Sequence, residues 1–283
     1  DKDVLEKLGY VKFDFLNLRN LDTIQDTIDL IKERHNLTVN VNRWRDEYRD
    51  QAVYESLSQG WTLGCFQIET NLGTRMIKTV QPTSLADVAD SITMGRPGPM
   101  RAGLVDIYVK RRTGKEKAKY ADPRMEAVLS KTFGVMLYQE DIMALCMVLA
   151  GYDSNEADEV RSILGKKKVE KIPAAGKKFL ERSVANGTNE LVATALWEQM
   201  AEFSRYSFNR AHAFSYAVLS YWTAWLKYYY PLEFLVARLS DPEIDAEDVG
   251  KFIAEGRRTG HKVLPPDINE SKEGFTATAS GVV

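Results

Sequence analysis

The sequence predicts a mostly α-helical protein with a few short strands and one strand near each end of the chain. Three observations carry this. Apolar residues recur at three- and four-residue spacing along most of the chain, as Ile24, Ile28 and Ile31 do. Helix punctuation is dense: Asp153 or Ser154 can cap one run, and Gly151, Gly165 and Gly187 stand where C-terminal caps belong. Strict alternation is confined to Tyr10–Asn17, where Val11, Phe13 and Phe15 interleave with Lys12, Asp14 and Leu16.

Taken in order, that alternating segment is the first strand, with Lys12 and Asp14 on one face. A helix is predicted over 21–34, a short connection over 36–42, and a second helix over 45–58 that ends at Gly60. Residues 62–68 read as extended. Helices follow over 71–80, stopped by Pro82, and over 84–91. Gly95-Arg96-Pro97-Gly98-Pro99 reads as a compact loop with a fixed backbone path. The basic, polar stretch 108–124 reads as a loop or arm. Helices are predicted over 125–130, 139–150, 155–164, 173–186 and 189–203. A long aromatic helix covers 211–229, Pro231 starts another that runs to 239, and the last covers 245–258. Val263–Asp267 is extended.

Composition narrows the function classes. The chain is 44% hydrophobic and 28% charged, enough for a packed core and inconsistent with disorder or a disulfide scaffold. The most apolar stretch, 217–236, is interrupted by Lys227, Pro231 and Glu233, so no membrane span is expected. Two cysteines, Cys65 and Cys146, suit a reducing compartment. The opening Asp-Lys-Asp, without a targeting segment, reads as a piece of a longer polypeptide. Net charge is −2, but residues 96–182 hold 18 Lys and Arg against 12 Asp and Glu. This basic middle is either a face for an anionic ligand or a chance cluster of surface charge.

Several residues could carry chemistry. Asp14, between two phenylalanines, either meets a metal or charged partner or stands on a solvated edge strand, with Lys12 a simple neighbour. Arg161 lies mid-helix, and Lys166, Lys167 and Lys168 follow at its end. The lysines are explained by the helix dipole alone, whereas an Arg fork beside flexible lysines also suits a phosphate chain. Lys177 and Lys178 extend the basic run. His212 and Tyr216 share a helical face, and Ala211, Ala213 and Ser215 leave room around the imidazole, although a helical His is most often structural. Phe214, Val218, Tyr221 and Trp225 form a separate apolar face, read as core. His35, His212, His261, Cys65 and Cys146 show no zinc spacing, and no P-loop or dinucleotide glycine fingerprint exists.

Nine motifs then occur in one order: Lys12-Phe-Asp-Phe-Leu16, Gly64-Cys-Phe-Gln-Ile-Glu69, Arg96-Pro-Gly-Pro99, Gly134-Val-Met-Leu-Tyr-Gln-Glu140, Leu149-Ala-Gly-Tyr152, Gly165-Lys-Lys-Lys168, Phe208-Asn-Arg-Ala-His212, Ser220-Tyr-Trp-Thr-Ala-Trp-Leu-Lys227 and Val263-Leu-Pro-Pro-Asp-Ile-Asn269. In this order the chain resembles the bacterial replicative DNA polymerases of family C, the polymerase III alpha subunits, from Gly9 to Phe275. The resemblance implies a helical fingers domain preceded by one palm strand: residues 1–20 as the end of the palm, 21–262 as the fingers, and 263–283 as a linker toward a helix-hairpin-helix and clamp-binding region.

It also implies roles. Asp14 matches a catalytic carboxylate that binds two magnesium ions, and Lys12 a basic residue of the same site. Arg161 and Lys166 match the grip on the incoming deoxynucleoside triphosphate, Arg96 and Gln139 line the site, and Asn209 and His212 begin the helix beside the nascent base pair. His212 is the residue expected to sense the nucleotide sugar. Lys167, Lys168, Lys177 and Lys178 are expected to contact DNA. The implied partners are primed template DNA, the triphosphate, the rest of the alpha subunit and a sliding clamp reached through regions outside the chain, in bacterial or phage-infected cytoplasm. The Asp-x-Asp pair that completes the family's metal site has no counterpart here, so the chain alone is expected to be inactive. The other reading of the residues is a helical module that binds nucleotide or nucleic acid without catalysis. Asn17, Gly95, Ser162 and Arg210-Ala211 depart from the family pattern and imply a divergent member.

Overall fold

The computed structural model describes residues 4, 5, 8–11, 13, 16–40, 48–165, 170–279 and 281–283. Fourteen α-helices lie among them. These are α1 (Arg19–His35), α2 (Gln51–Ser58), α3 (Asn71–Val80), α4 (Leu85–Met94), α5 (Pro97–Arg101), α6 (Leu104–Arg112) and α7 (Met125–Leu129). They continue with α8 (Gln139–Ala150), α9 (Ser154–Gly165), α10 (Ile172–Ala185), α11 (Glu190–Phe203), α12 (Arg210–Tyr229), α13 (Pro231–Leu239) and α14 (Ala246–Arg258). The predicted mostly helical class is therefore what the chain adopts.

The chain forms two compact units, 1–39 with 229–283, and 40–228. In the first, α13 packs on α1 and on α14. Ile24, Ile31, Phe234, Leu235, Val236, Leu239 and Phe252 are buried there. The buried carboxylate of Glu233 accepts from Arg34 Nε at 2.8 Å and lies 2.9 Å from His35 Nε2, so a charge taken from water keeps two partners. The extended C-terminal segment contributes isolated bridges, Val263 with Val282 and Ala277 with Val282.

The larger unit holds two apolar cores. The first gathers Val53, Tyr54 and Leu57 of α2, Met76, Ile77 and Val80 of α3, Val88 and Met94 of α4, Tyr108 of α6 and one stripe of α12. The second gathers Leu145, Cys146 and Leu149 of α8, Val160 and Leu164 of α9, Phe179 of α10, and Leu196 and Met200 of α11. Both cysteines are buried, and among the described residues neither forms a disulfide. No helix among the described residues is long and apolar enough to cross a membrane.

Three local expectations are corrected. Residues 62–68 are a series of turns, not an extended segment. They turn because α12 supplies their hydrogen bonds: Thr223 Oγ1 accepts from Phe66 N at 3.0 Å, Ser220 Oγ donates to Phe66 O at 2.8 Å, and buried Lys227 Nζ donates to Leu63 O at 2.8 Å. The rigid loop at 95–99 opens directly into α5, with Pro97 at its first turn. Part of the supposed polar arm is α6, whose Leu104, Val105, Ile107, Tyr108 and Val109 pack into the first core while Lys110, Arg111 and Arg112 end the helix where the dipole favours cations. On α12 Tyr221 is buried with Ala213, Ala217, Ser220 and Ala224, and Phe214 and Trp225 pack against the same core, as the apolar face predicted.

No strand is formed by the described residues of 8–18, and Tyr10, Val11 and Phe13 are exposed. Phe15 and the two site residues of that segment, Lys12 and Asp14, lie outside the described residues.

Candidate functional site

The site grows from two helix N-termini in the larger unit. Tyr138 precedes α8 in extended conformation and forms a parallel bridge with Phe208, two residues before α12. Gln139 N donates to Phe208 O at 2.8 Å. Asp141, in the first turn of α8, reaches back to accept from Leu137 N at 2.9 Å and Tyr138 N at 2.8 Å. Its other oxygen accepts from Arg210 Nη2 at 2.7 Å, and the Arg210 guanidinium lies 4.7 Å over the Tyr138 ring. Asp141 is almost wholly buried, and that burial raises its carboxyl above the ordinary carboxylate range against the two backbone bonds and Arg210.

Asn209 caps α12. Its Oδ1 accepts from His212 N at 2.8 Å, and its Nδ2 donates to Glu140 Oε1 at 2.8 Å. Glu140 Oε2 accepts from Arg210 N at 2.9 Å. The two helix starts are thus joined by side chains that each serve both.

Around this junction five of the six residues expected at the nucleotide come together. Arg161, on α9, donates through Nη1 to Gln139 Oε1 at 3.4 Å and through Nε to Asp158 Oδ1 at 2.7 Å. Arg96 stands just before α5, its guanidinium 4.7 Å from the Phe208 ring centre. Gly98 lets Tyr206 lie against the start of α5, because a Cβ there would stand 2.4 Å from Tyr206 Cβ. From Phe208 the rings continue through His212 at 5.2 Å and Tyr216 at 3.9 Å to Phe66 at 5.0 Å. His212 and Asn209 are exposed, and Gln139 and Arg161 are half-buried. A cavity of about 210 Å³ adjoins Arg96 and is lined by Gln67, Thr70 and Ser91 among others. The sixth, Lys166, and its neighbours Lys167 and Lys168 lie outside the described residues.

Lys177 and Lys178 belong to a different surface, on α10. Lys178 Nζ donates to Glu156 Oε1 at 3.0 Å and sits 5.4 Å over the Tyr152 ring, while Lys177 Nζ is 3.8 Å from Glu181. Arg182 joins Glu156 at 2.7 and 2.8 Å. Lys178 first, then Arg182, holds the Glu156 carboxyl down at about 2.

Sequence reasoning missed a layer beneath the site. Asp90, on α4, is 3% exposed and accepts from Tyr108 OH at 2.7 Å and from Tyr138 OH. Burial pushes its carboxyl up to about 6, against the two hydroxyls and with help from Asp87 and Asp141. Tyr138 and Glu140 lie inside the Gly134–Glu140 motif, where residue type alone suggests no role for them, and Asp90 stands in no motif. Ser220, Thr223 and Lys227, at i, i+3 and i+7, could have been found as a polar stripe in an apolar helix.

The family model described as the bacterial DNA polymerase III alpha subunit finger domain matches residues 20–187. The DNA polymerase III subunit alpha of Aquifex aeolicus (strain VF5) is 39% identical over 272 residues, covering 96% of this chain and 23% of that relative. Those of Helicobacter pylori (strain J99 / ATCC 700824) and Campylobacter jejuni subsp. jejuni serotype O:2 are 36% identical over 272 residues and 35% over 281, covering 22% and 23% of the relatives. The chain thus spans under a quarter of the length of these relatives.

Proposed function

Since the chain belongs to the family of bacterial DNA polymerase III alpha subunit finger domains, we propose that the face around the α8 and α12 starts binds the incoming deoxynucleoside triphosphate during template-directed nucleotidyl transfer to a primer end. The observation that carries this is the convergence of Arg96, Gln139, Arg161 and His212, drawn from four separate stretches of chain, around Phe208. A triphosphate is polyanionic with a flat base, and the face offers two guanidinium groups beside a run of rings.

In this reading Arg161 neutralises phosphate oxygens, and Gln139 orients its fork. Arg96 adds charge from the Phe208 side. His212 and Tyr216 present the edge that meets sugar and base. Asn209, whose amide is engaged at both ends, serves by holding the start of α12. The basic residues of 166–168 and α10 serve the primed template, and the rest of the subunit and a sliding clamp are partners reached through other regions.

Two magnesium ions belong to the proposal through Asp14 and carboxylates supplied from outside this chain, and would activate the primer hydroxyl when bound. Among the described residues no three His, Cys, Asp or Glu side chains converge as metal ligands.

Calorimetric titration tests the reading. Arg161→Ala is expected to weaken deoxynucleoside triphosphate binding by about ten- to a hundredfold, the loss of one charge-assisted contact, and to change binding of a primed template by less than about threefold. Equal nucleotide affinity in both chains overturns the assignment.

A further inference from the structure

Asp90 is used by nothing in the proposed chemistry, yet it is a costly choice. It is a carboxylate with 3% exposure and no Lys, Arg or His within hydrogen-bond reach among the described residues. Two tyrosine hydroxyls need an acceptor, and a neutral one would satisfy a hydroxyl without a buried charge. What the charge adds is strength, because a hydroxyl bonded to an ionised acceptor is held more tightly than one bonded to an amide.

Tyr138 is the residue so held, and four contacts of the site meet on it. Its hydroxyl is fixed by Asp90. Its ring face carries the Arg210 guanidinium. Its backbone N–H is tied to Asp141, and its bridge to Phe208 sets α8 beside α12. Arg210 has little else to place it: Nη2 reaches Asp141, while Nε is buried with no acceptor among the described residues. Arg210 opens the helix whose third residue is His212.

We infer that Asp90 is a positioning residue that acts through Tyr138 to hold the α8 and α12 starts in register, and that its protonation loosens this junction. The inference deepens the nucleotide-binding reading and rests on it for its consequence, though not for its geometry. A protonated carboxyl turns one of its two oxygens into a donor, so one tyrosine hydroxyl loses its acceptor. The titratable groups facing Asp90 are Asp87 on its own helix, Tyr108 from α6, and Tyr138 and Asp141 at α8, while Arg112 acts on Tyr108 and Arg210 on Tyr138. Asp87 is paired with Arg112, and Asp141 with Arg210, which leaves Asp90 as the acid without a cationic partner. Its upward displacement to about 6 puts the change within reach of mild acidification.

The test compares the full chain with Tyr138→Phe and Asp90→Asn, both close in shape to the native side chains. Hydrogen exchange is followed at the amides of Arg210 and His212, and protection factors are compared at pH 7.5 and 5.5. Both variants are expected to lose about tenfold protection there at pH 7.5, with α10 and α11 unchanged. The native chain at pH 5.5 should behave like Asp90→Asn at pH 7.5, and Asp90→Asn should show no step between the two. Unchanged protection in both variants, or the same pH step in Asp90→Asn, overturns the inference. Titration with a deoxynucleoside triphosphate separates the two ideas. A native chain that binds none sinks the nucleotide reading and leaves exchange to decide the positioning role. A native chain that binds, with both variants binding equally well, sinks the positioning role alone.

Discussion

Two acidic residues of the larger unit show opposite uses of charge. Glu156 lies near solvent at the start of α9, between Lys178 and Arg182, and its carboxyl is held down at about 2. Asp90 lies inside the first core, between two tyrosines, and its carboxyl is pushed up to about 6. The first is an ordinary surface ion cluster in which the partners stabilise the charge and water screens it. The second is a charge kept where it is disfavoured. The basic run that drew attention by its density belongs, at Lys177 and Lys178, to the first kind of place, while the junction that organises the site belongs to the second. Density of charge in sequence therefore does not tell a surface ion cluster from a buried carboxylate, whereas burial does.

The largest way to break the contrast is Tyr138→Ala. It empties a fully buried ring site and leaves Asp90 with a single donor, so a loss of about 4 kcal/mol is expected in urea unfolding. A loss below about 1 kcal/mol would mean that the ring is not the support of the junction.

Next in size is the paired response to pH. Asp90 has a raised carboxyl, so the folded chain binds its proton more tightly than the unfolded chain does. Stability from this group is complete below the ordinary value of 3.8 and is lost as pH rises through about 6. The native chain is accordingly expected to lose up to about 3 kcal/mol through this group between pH 4 and 7.5, the equivalent of roughly two units, and Asp90→Asn should not show that slope. Glu156 runs the other way. Its contribution is present above 4.5 and fades as pH falls toward about 2, so Glu156→Gln should lower stability slightly at neutral pH and not in acid. Unfolding midpoints across pH 3–8 check both, and parallel slopes in the two variants would erase the contrast.

The smallest effect concerns DNA. Lys177→Ala should reduce the salt slope of primed-template binding by at most about one ion, as one phosphate contact does. Lys178→Ala should do less, because Glu156 already holds that ammonium. Anisotropy titrations at several salt concentrations measure this, and a larger effect at Lys178 would place it on the DNA despite its ion pair.

Much of this was legible beforehand because it depends on local pattern. Periodicity and caps found most of the helices, since apolar spacing and the orphan N–H groups of helix starts are written in neighbouring residues. The Phe208–His212 and Gly134–Glu140 motifs pointed to the site, because side chains that must converge on a ligand leave unusual residue types in short runs. The strand predicted at Tyr10–Asn17 does not form among the described residues of 8–18, and residues 62–68 turn rather than extend. Alternation shows a preference for extended backbone but cannot say whether a partner strand or a helix will satisfy its hydrogen bonds. For residues 62–68 the partners are Ser220, Thr223 and Lys227, more than 150 positions away. The apolar face of α12 does lie in the core, with Tyr221 buried and Phe214 and Trp225 packed against it, but how deeply each ring sits depends on how closely its neighbours approach.

By itself the sequence determined the helical class and most helix positions, which follow from local spacing and residue type, and its nine ordered motifs carried the resemblance to the family and the residues of the proposed nucleotide face. Only the tertiary structure decided which of those residues meet. It set Arg161 against Gln139, stacked Arg96 on Phe208, turned Lys178 toward Glu156 and buried Asp90 between Tyr108 and Tyr138. The physical reason is that a charge's effect depends on its distance to partners and to water, and both are fixed only when distant segments pack.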